Sequence, residues 1–397
     1  MACRENSDQV TNRATIRGPV TELTDEELHR QALVIDAHAD TLQLILDDGL
    51  DLAKGSERLE IDLPKAKTGG LDALFFSIWV DPRLYRGEQA VARAFSLINA
   101  LKNQADRHAD KIAIATSAAA IDRAERDGKL AALMGIEGGH ALNGSVQNLY
   151  GLFDAGARYL TVTWSNTNEL GDSSGDLTSP TVKHHNGLTD FGRQVIAEMN
   201  RMGMIVDISH VSDQTFCDVM KITKSPVIAS HSCARALCSH KRNMTDDMLR
   251  AVASNGGVVC INFYPLFLDN GFAREKDTVD SALGSKYAAI DEEFKDNPVK
   301  ASLERDRVQR MFLSETDSVS YERIVDHIEY VIKVAGEDHV GLGSDFDGIP
   351  ATPRGMKTVA DLPNLTRALR RRGHSDDIIR KILGGNVMRV CRAVMTC

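Results

Sequence analysis

The chain has 397 residues, 43% of them apolar, which is enough for a sizeable core in one large barrel or two ordinary domains and too many for a disordered chain. A formal net charge of -9, with both signs mixed along the sequence, excludes a nucleic-acid surface, which needs a concentrated basic patch. Nothing reaches the roughly 18 consecutive apolar residues of a membrane span, and the cysteines (Cys3, Cys217, Cys233, Cys238, Cys260, Cys391, Cys397) lack C-x-x-C spacing, so they read as small buried residues or free thiols.

Residues 1–21 read as a polar tail and 22–397 as one folded domain. The opening is no signal peptide, and cytoplasmic and periplasmic or secreted locations both stay open. Cys3 before a polar stretch resembles a lipoprotein trimmed of its signal; a lipid anchor there is the weaker reading.

From Thr24, a capping residue followed by acids, a short helix is expected. Leu33–Asp40 reads as a strand, with His38 and Asp40 two apart and so on one face near its end. Ala73–Val80 is the second strand, followed by a helix over Gly87–Ala105. The third, Leu130–Glu137, is an apolar run of the kind buried on both faces, and it breaks off at a carboxylate followed by Gly138-Gly139-His140. An ionised group buried there needs a partner, and a cation is the natural one.

The fourth strand, Tyr159–Trp164, enters a polar loop through Asn166, Asn168 and Asp172. Phe191–Met202 has helical spacing of apolar residues. The fifth strand, Met204–His210, ends in a histidine, with Ser212 placed to cap the next helix, and the sixth, Pro226–His231, ends in another. Gly257–Tyr264 and His339–Asp345 complete eight strands, and helical patterns between most of them imply parallel βαβ units. A (β/α)₈ TIM barrel fits better than an open sheet. The segment 265–320, charged and only patchily helical, is a long insertion between strands seven and eight, expected to be a lid or an interface piece. Arg370-Arg371-Arg372 reads as a solvated helix end rather than a binding site.

In such a barrel the strand ends share one rim. His38, Asp40, Glu137, His210, His231 and Asp345 all fall there, from five strands, and grouping them without compensation would be expensive. Nitrogen and oxygen donors in this number exceed what one open catalytic zinc takes. A bridging carboxylate uses them all: one ion on His38, Asp40 and Glu137, the other on Glu137, His210 and His231. Two ions about 3.5–4 Å apart can share a hydroxide, lower its pKa toward neutrality and polarise a carbonyl. Asp345, left over from the ligand count, would take the proton and hand it to a leaving amine.

His38-Ala-Asp40, Glu137-Gly-Gly-His140, Ser209-His210-Val-Ser212, Ser230-His231-Ser232 and Ser344-Asp345-Phe-Asp347-Gly348 resemble the strand ends of the membrane (renal-type) dipeptidase family, within the amidohydrolase superfamily, in the same order from about Val34 to Ala393. The resemblance implies a barrel with two Zn²⁺ ions per subunit, often a homodimer, hydrolysing dipeptides that can carry a C-terminal D-residue. It carries over His38 and Asp40 to one ion, Glu137 to the bridge, His210 and His231 to the other ion, and Asp345 to the acid/base. Arg242 then matches the arginine that forks onto the substrate carboxylate, and Tyr264 a substrate-side position. Trp164 departs from the pattern, standing where the family commonly has a histidine assisting the oxyanion. Asn166, Asn168, the metals, His184 or His185 would take over, and losing one such donor typically costs about 10²–10³ in turnover.

Alternatives are another amide or lactone hydrolase of the superfamily, such as an N-acyl amino acid deacylase, or an inactive metal-binding relative. A serine hydrolase is suggested by Gly171-Asp-Ser173-Ser-Gly175, but that motif needs a helix directly after the turn and Pro180 stands in the way.

Overall fold

The computed structural model describes residues 23–313 and 318–395. The expected tail at 1–21, with Cys3, lies outside them, as does Cys397. Nine strands form one sheet: β1 (Ile35–Ala39), β2 (Ala73–Trp79), β3 (Ile112–Ile114), β4 (Leu130–Glu137), β5 (Ala157–Thr161), β6 (Ile205–Asp207), β7 (Ile228–Ser232), β8 (Val258–Ile261) and β9 (Val340–Leu342). All pair in parallel. β1 lies between β2 and β9, the order continues from β9 down to β4, and β2 pairs with β4 to close the ring. The result is a (β/α)₈ barrel of eight strands, with β3 as an addition.

β3 was not among the expected strands. It is three residues long, too short for a periodic signal, and it pairs with Leu130–Ala132 of β4 before β5 takes over from Met134. The fourth expected strand begins at Ala157 rather than Tyr159. The seventh ends at Ile261, which puts Asn262 rather than Tyr264 at the strand end.

Local sequence explains the frame. Thr24 caps Asp25–Gln31 with a reciprocal bond from Glu27, Ser212 caps Asp213–Ile222, and Gly203 ends Asp190–Met202 in the left-handed conformation that costs glycine little. All eight residues of β4 are buried, as a parallel strand covered on both faces requires. Gly135 is obligatory in it: a Cβ there would lie 1.9 Å from the Tyr159 ring. Helix Asn386–Val394 contributes Val387, Met388, Val390 and Cys391 to the core that holds Phe75, Leu133, Tyr159 and Cys260.

The insertion after β8 is helical, not patchy: Pro265–Leu268, Asn270–Ala282, Gly284–Glu293 and Pro298–Leu313. The triple arginine also differs from expectation. Arg371 and Arg372 ion-pair with Glu322, Arg372 also with Asp326 and Glu329, and Arg370 with Asp25 and Asp376, so the helix end is tied to its neighbours rather than merely solvated. No helix among the described residues is long and apolar enough to cross a membrane.

Candidate metal centre

All eight barrel strands deliver side chains to one rim. His38 and Asp40 stand at the end of β1, Ser77 and Trp79 on β2, Glu137 at the end of β4, Trp164 beyond β5, His210 beyond β6, His231 on β7, Asn262 beyond β8 and Asp345 beyond β9. Glu137 is the hub, and its two oxygens face different ways. Oε2 lies 3.4 Å from His38 Nε2, while Oε1 lies 3.0 Å from His210 Nε2 and 3.5 Å from His231 Nε2. Asp40 Oδ2 is 3.5 Å and Asp345 Oδ1 3.9 Å from His38 Nε2. Two triads, His38–Glu137–His231 and His38–Asp40–Asp345, have donor atoms all within 4.8 Å of one another. The geometry therefore gathers the expected donors and adds Asp345 to the His38 side.

The outer hydrogen bonds fix which ring nitrogens face inward. The Asp207 carboxylate accepts from the backbone N–H groups of Ser209 (3.0 Å) and Ser230 (2.9 Å), and from the hydroxyls of Thr161 (2.5 Å) and Ser230 (2.7 Å). The one Ser230 proton is thereby committed. His231 Nδ1, 2.8 Å from that hydroxyl oxygen, has to be the donor, and its Nε2 keeps a lone pair toward Glu137. Tyr159 works in parallel on His38. Its hydroxyl donates to Ala37 O at 3.3 Å and accepts from His38 Nδ1 at 2.8 Å, and burial pushes its pKa up so that it stays a phenol. That leaves His38 Nε2 as the nitrogen facing inward, and it and Asp40 Oδ1 are buried with no hydrogen-bond partner.

Burial, reinforced by the Arg242 charge, pulls His210 down to about 3, and burial with His38 and Arg242 nearby holds His231 well below the histidine range. Both imidazoles are neutral electron-pair donors, yet their Nε2 atoms are 2.8 Å apart and both face a carboxylate oxygen. For His38 burial disfavours the cation, but Tyr159, Glu137 and Asp40 together outweigh it and hold its pKa well above the usual range. The cavity thus attracts positive charge, and buried lone pairs aimed at one another are what a bound cation satisfies. Gly348 completes the cradle, since a Cβ there would lie 2.1 Å from Asp40 Oδ2 and 2.8 Å from Asp345 Oδ1. The donor set fits hard-to-borderline divalent ions.

The backbone here is held away from its easy conformations. His210 (φ 69°), Asp345 (φ 64°) and Asp347 (φ 64°) sit in the left-handed region, at a cost of about 1–3 kcal/mol each that persists only where neighbours over-determine it. Asp36 supplies part of that restraint: its carboxylate accepts from the N–H groups of His38 (3.2 Å) and Ser344 (2.9 Å) and from the Ser344 hydroxyl, tying β1 to the residue before Asp345. Asn262 donates to Asp345 Oδ2 at 2.8 Å, and burial together with Asp40 and Glu137 raises the Asp345 carboxyl to about 7.

Among the other expected residues, Arg242 is buried beside the cluster, donating to His231 O at 3.1 Å and lying over the Phe267 ring at 5.4 Å, with its Nε unpartnered. Tyr264 is buried against Phe267 and Phe272. Trp164 lies 6.3 Å from His210 and 5.0 Å from Trp79, so the chain's two tryptophans meet at this rim. Asn168 is committed to its own loop, donating to Val162 O and accepting from Leu170 N. His184 points at Asp172, 3.8 Å away, and His185 is exposed. Ser173 donates its hydroxyl to carbonyl oxygens and the next helix begins only at Asp190, which removes the serine-hydrolase geometry.

Sequence reasoning missed Ser77, which donates to Glu137 Oε2 at 3.1 Å, and Tyr159, Asp207, Ser230, Asp36 and Asn262. Asp36 and Asp207 carried a signal: an aspartate inside an apolar strand must be hydrogen-bonded to be tolerated.

A parallel (β/α)₈ barrel with imidazoles and carboxylates converging on its C-terminal rim is the framework of a metallohydrolase. The family model for membrane dipeptidase, peptidase family M19, matches residues 24–397. The chain belongs to this family and is an enzyme of the metallo-dipeptidase type. It is 33% identical over 338 residues to Dipeptidase aclJ of Aspergillus oryzae, covering 83% of this chain and 69% of that one. It is also similar to the probable dipeptidase PvdM from Pseudomonas aeruginosa (TM-score 0.80, 26% identity, 94% and 97% of the two chains). A third relative is a metallo peptidase from Rhodobacter sphaeroides liganded with a phosphinate mimic of L-Ala-D-Ala (TM-score 0.74, 25% identity, 91% and 99%).

Proposed function

We propose that the chain is a zinc-dependent dipeptidase holding two ions per subunit and accepting L,L- and L,D-dipeptides, with the homodimer as its assembly. The observation that carries this reading is the split of the Glu137 carboxylate, one oxygen toward His38, which Asp40 also faces, and the other toward His210 and His231. His38, Asp40 and Glu137 would hold one ion and Glu137, His210 and His231 the other; when bound, the pair supplies an activated water at neutral pH and polarises the scissile carbonyl. The phosphinate mimic of L-Ala-D-Ala bound by the Rhodobacter sphaeroides relative supports acceptance of a C-terminal D-residue.

The chain's own residues do the rest. Arg242, buried and with an unpartnered Nε, presents a charge that a free C-terminal carboxylate can satisfy by a forked contact. Longer peptides, whose next residue replaces that carboxylate, are excluded. Asp345, held by Asn262 and with a carboxyl near 7, can take a proton at Oδ1 and return it to the leaving amine. The Trp164 indole covers the His210 side and limits water there.

Arg242→Met is expected to raise KM for a dipeptide by about 10–100-fold, in line with the loss of a charged hydrogen-bond pair, and to leave the KM of the C-terminal amide within about threefold. Equal effects on both substrates would remove the carboxylate anchor. Wild-type protein assayed on a panel of L,L- and L,D-dipeptides, with zinc measured on the same preparation, tests the reading as a whole.

A further inference from the structure

One side chain of the insertion reaches the loop that carries Asp345. Arg310, on helix Pro298–Leu313, donates Nη1 to Ile349 O (2.7 Å) and Asp347 O (3.5 Å), and Nη2 to Gly348 O (3.1 Å). These are three consecutive carbonyls of the loop after β9. That loop holds Asp345 and Asp347 at positive φ and presses Gly348 against Asp40 and Asp345. Its other restraints come from the barrel: Asp36 on Ser344, Thr41 donating to Asp347 Oδ2, and Glu60 and Asp347 exchanging backbone-to-carboxylate bonds of 2.5 and 2.6 Å. Nearer its N-terminus the same face of the helix, at i, i+4 spacing from Arg310, is pinned to the loop after β2, where Arg83, paired with Asp81, donates to Ser302 (3.0 Å) and Asp306 (2.6 Å). β2 and β9 flank β1 in the sheet, so the helix straps across the rim sector to which β1 brings His38 and Asp40.

We propose that Arg310 is a positioning residue: its fork onto the Asp347–Ile349 carbonyls holds the Asp345 loop in its strained conformation, and the insertion thereby forms part of the catalytic apparatus rather than a surface excursion. The proposal rests on the acid/base reading of Asp345. A guanidinium suits the task because its fan of N–H donors reaches several carbonyls at once, whereas a lysine ammonium offers a point charge without that fixed fork. Displacement of a catalytic group by about 1 Å can cost about 10²-fold in rate while substrate binding elsewhere in the site is unaffected.

Three proteins decide it: wild type, Arg310→Gln and Arg310→Lys. On a dipeptide that the wild type cleaves, R310Q is expected to lose about 10–100-fold in kcat with KM within about threefold, and R310K to recover part of the loss. Independently of turnover, hydrogen exchange on zinc-stripped protein is expected to speed up in R310Q for the peptide spanning Asp345–Ile349, whose Gly348 and Ile349 amides donate to Asp345 O, and to stay unchanged for β4. An R310Q enzyme with wild-type kcat, or unchanged exchange over Asp345–Ile349, overturns the clamp. Faster exchange in R310Q combined with a wild type that cleaves no dipeptide would instead overturn the dipeptidase reading and leave the clamp standing.

Discussion

Glu137→Ala is expected to lower kcat/KM by about 10²–10⁴-fold and to leave the protein without tightly held zinc after dialysis. Removing the hub leaves His210 and His231 facing a buried space without their carboxylate and His38 with Asp40 and Asp345 alone, and breaking a buried charged cluster costs about 3–5 kcal/mol, or roughly two to four powers of ten. Both oxygens are in use, one facing His38 and the other His210 and His231, so the loss falls on both halves of the centre at once. Glu137→Gln keeps the shape and the Ser77 contact while removing the charge, which separates loss of metal from loss of fold. A Glu137→Ala protein that retains two zinc equivalents and turns over dipeptide within tenfold of wild type would refute the bridging role.

Asp345→Asn is expected to behave differently. Metal should remain, because His38, Asp40, Glu137, His210 and His231 are untouched, while kcat should drop by about 10²–10⁴-fold, the range for loss of a general acid/base. The amide can still meet Asn262, but it cannot accept and return a proton. Turnover within threefold of wild type would transfer the proton-handling role away from Asp345.

The sequence made the barrel and its rim legible because parallel strands buried on both faces write themselves as short apolar runs, and several runs here stop at an acid or a histidine that an apolar core would not tolerate. Glu137 after Leu130–Ile136 is the plainest case. The candidate donors that the structure gathers at this rim were readable for the same reason. What escaped was structure that leaves no periodic trace. β3 is three residues of edge pairing. The insertion helices bury few side chains, among them Phe272, Leu283, Ala301 and Leu313, so no apolar stripe marks them and only their helix-favouring composition could have done so. Side-chain partners from distant segments, such as Tyr159 to His38 across 121 residues or Arg310 to Gly348, depend on how the barrel closes. Asn168 shows the converse: a polar residue in a loop beyond a strand end invites a substrate role, yet its amide serves the loop's own backbone.

The most direct measurement is a zinc titration of chelator-stripped protein, following bound metal and dipeptide turnover together. Activity is expected to be absent in the stripped protein and to return as two equivalents per chain are taken up. Full turnover with chelator in excess, or recovery complete at one equivalent with no second site filled, would contradict it.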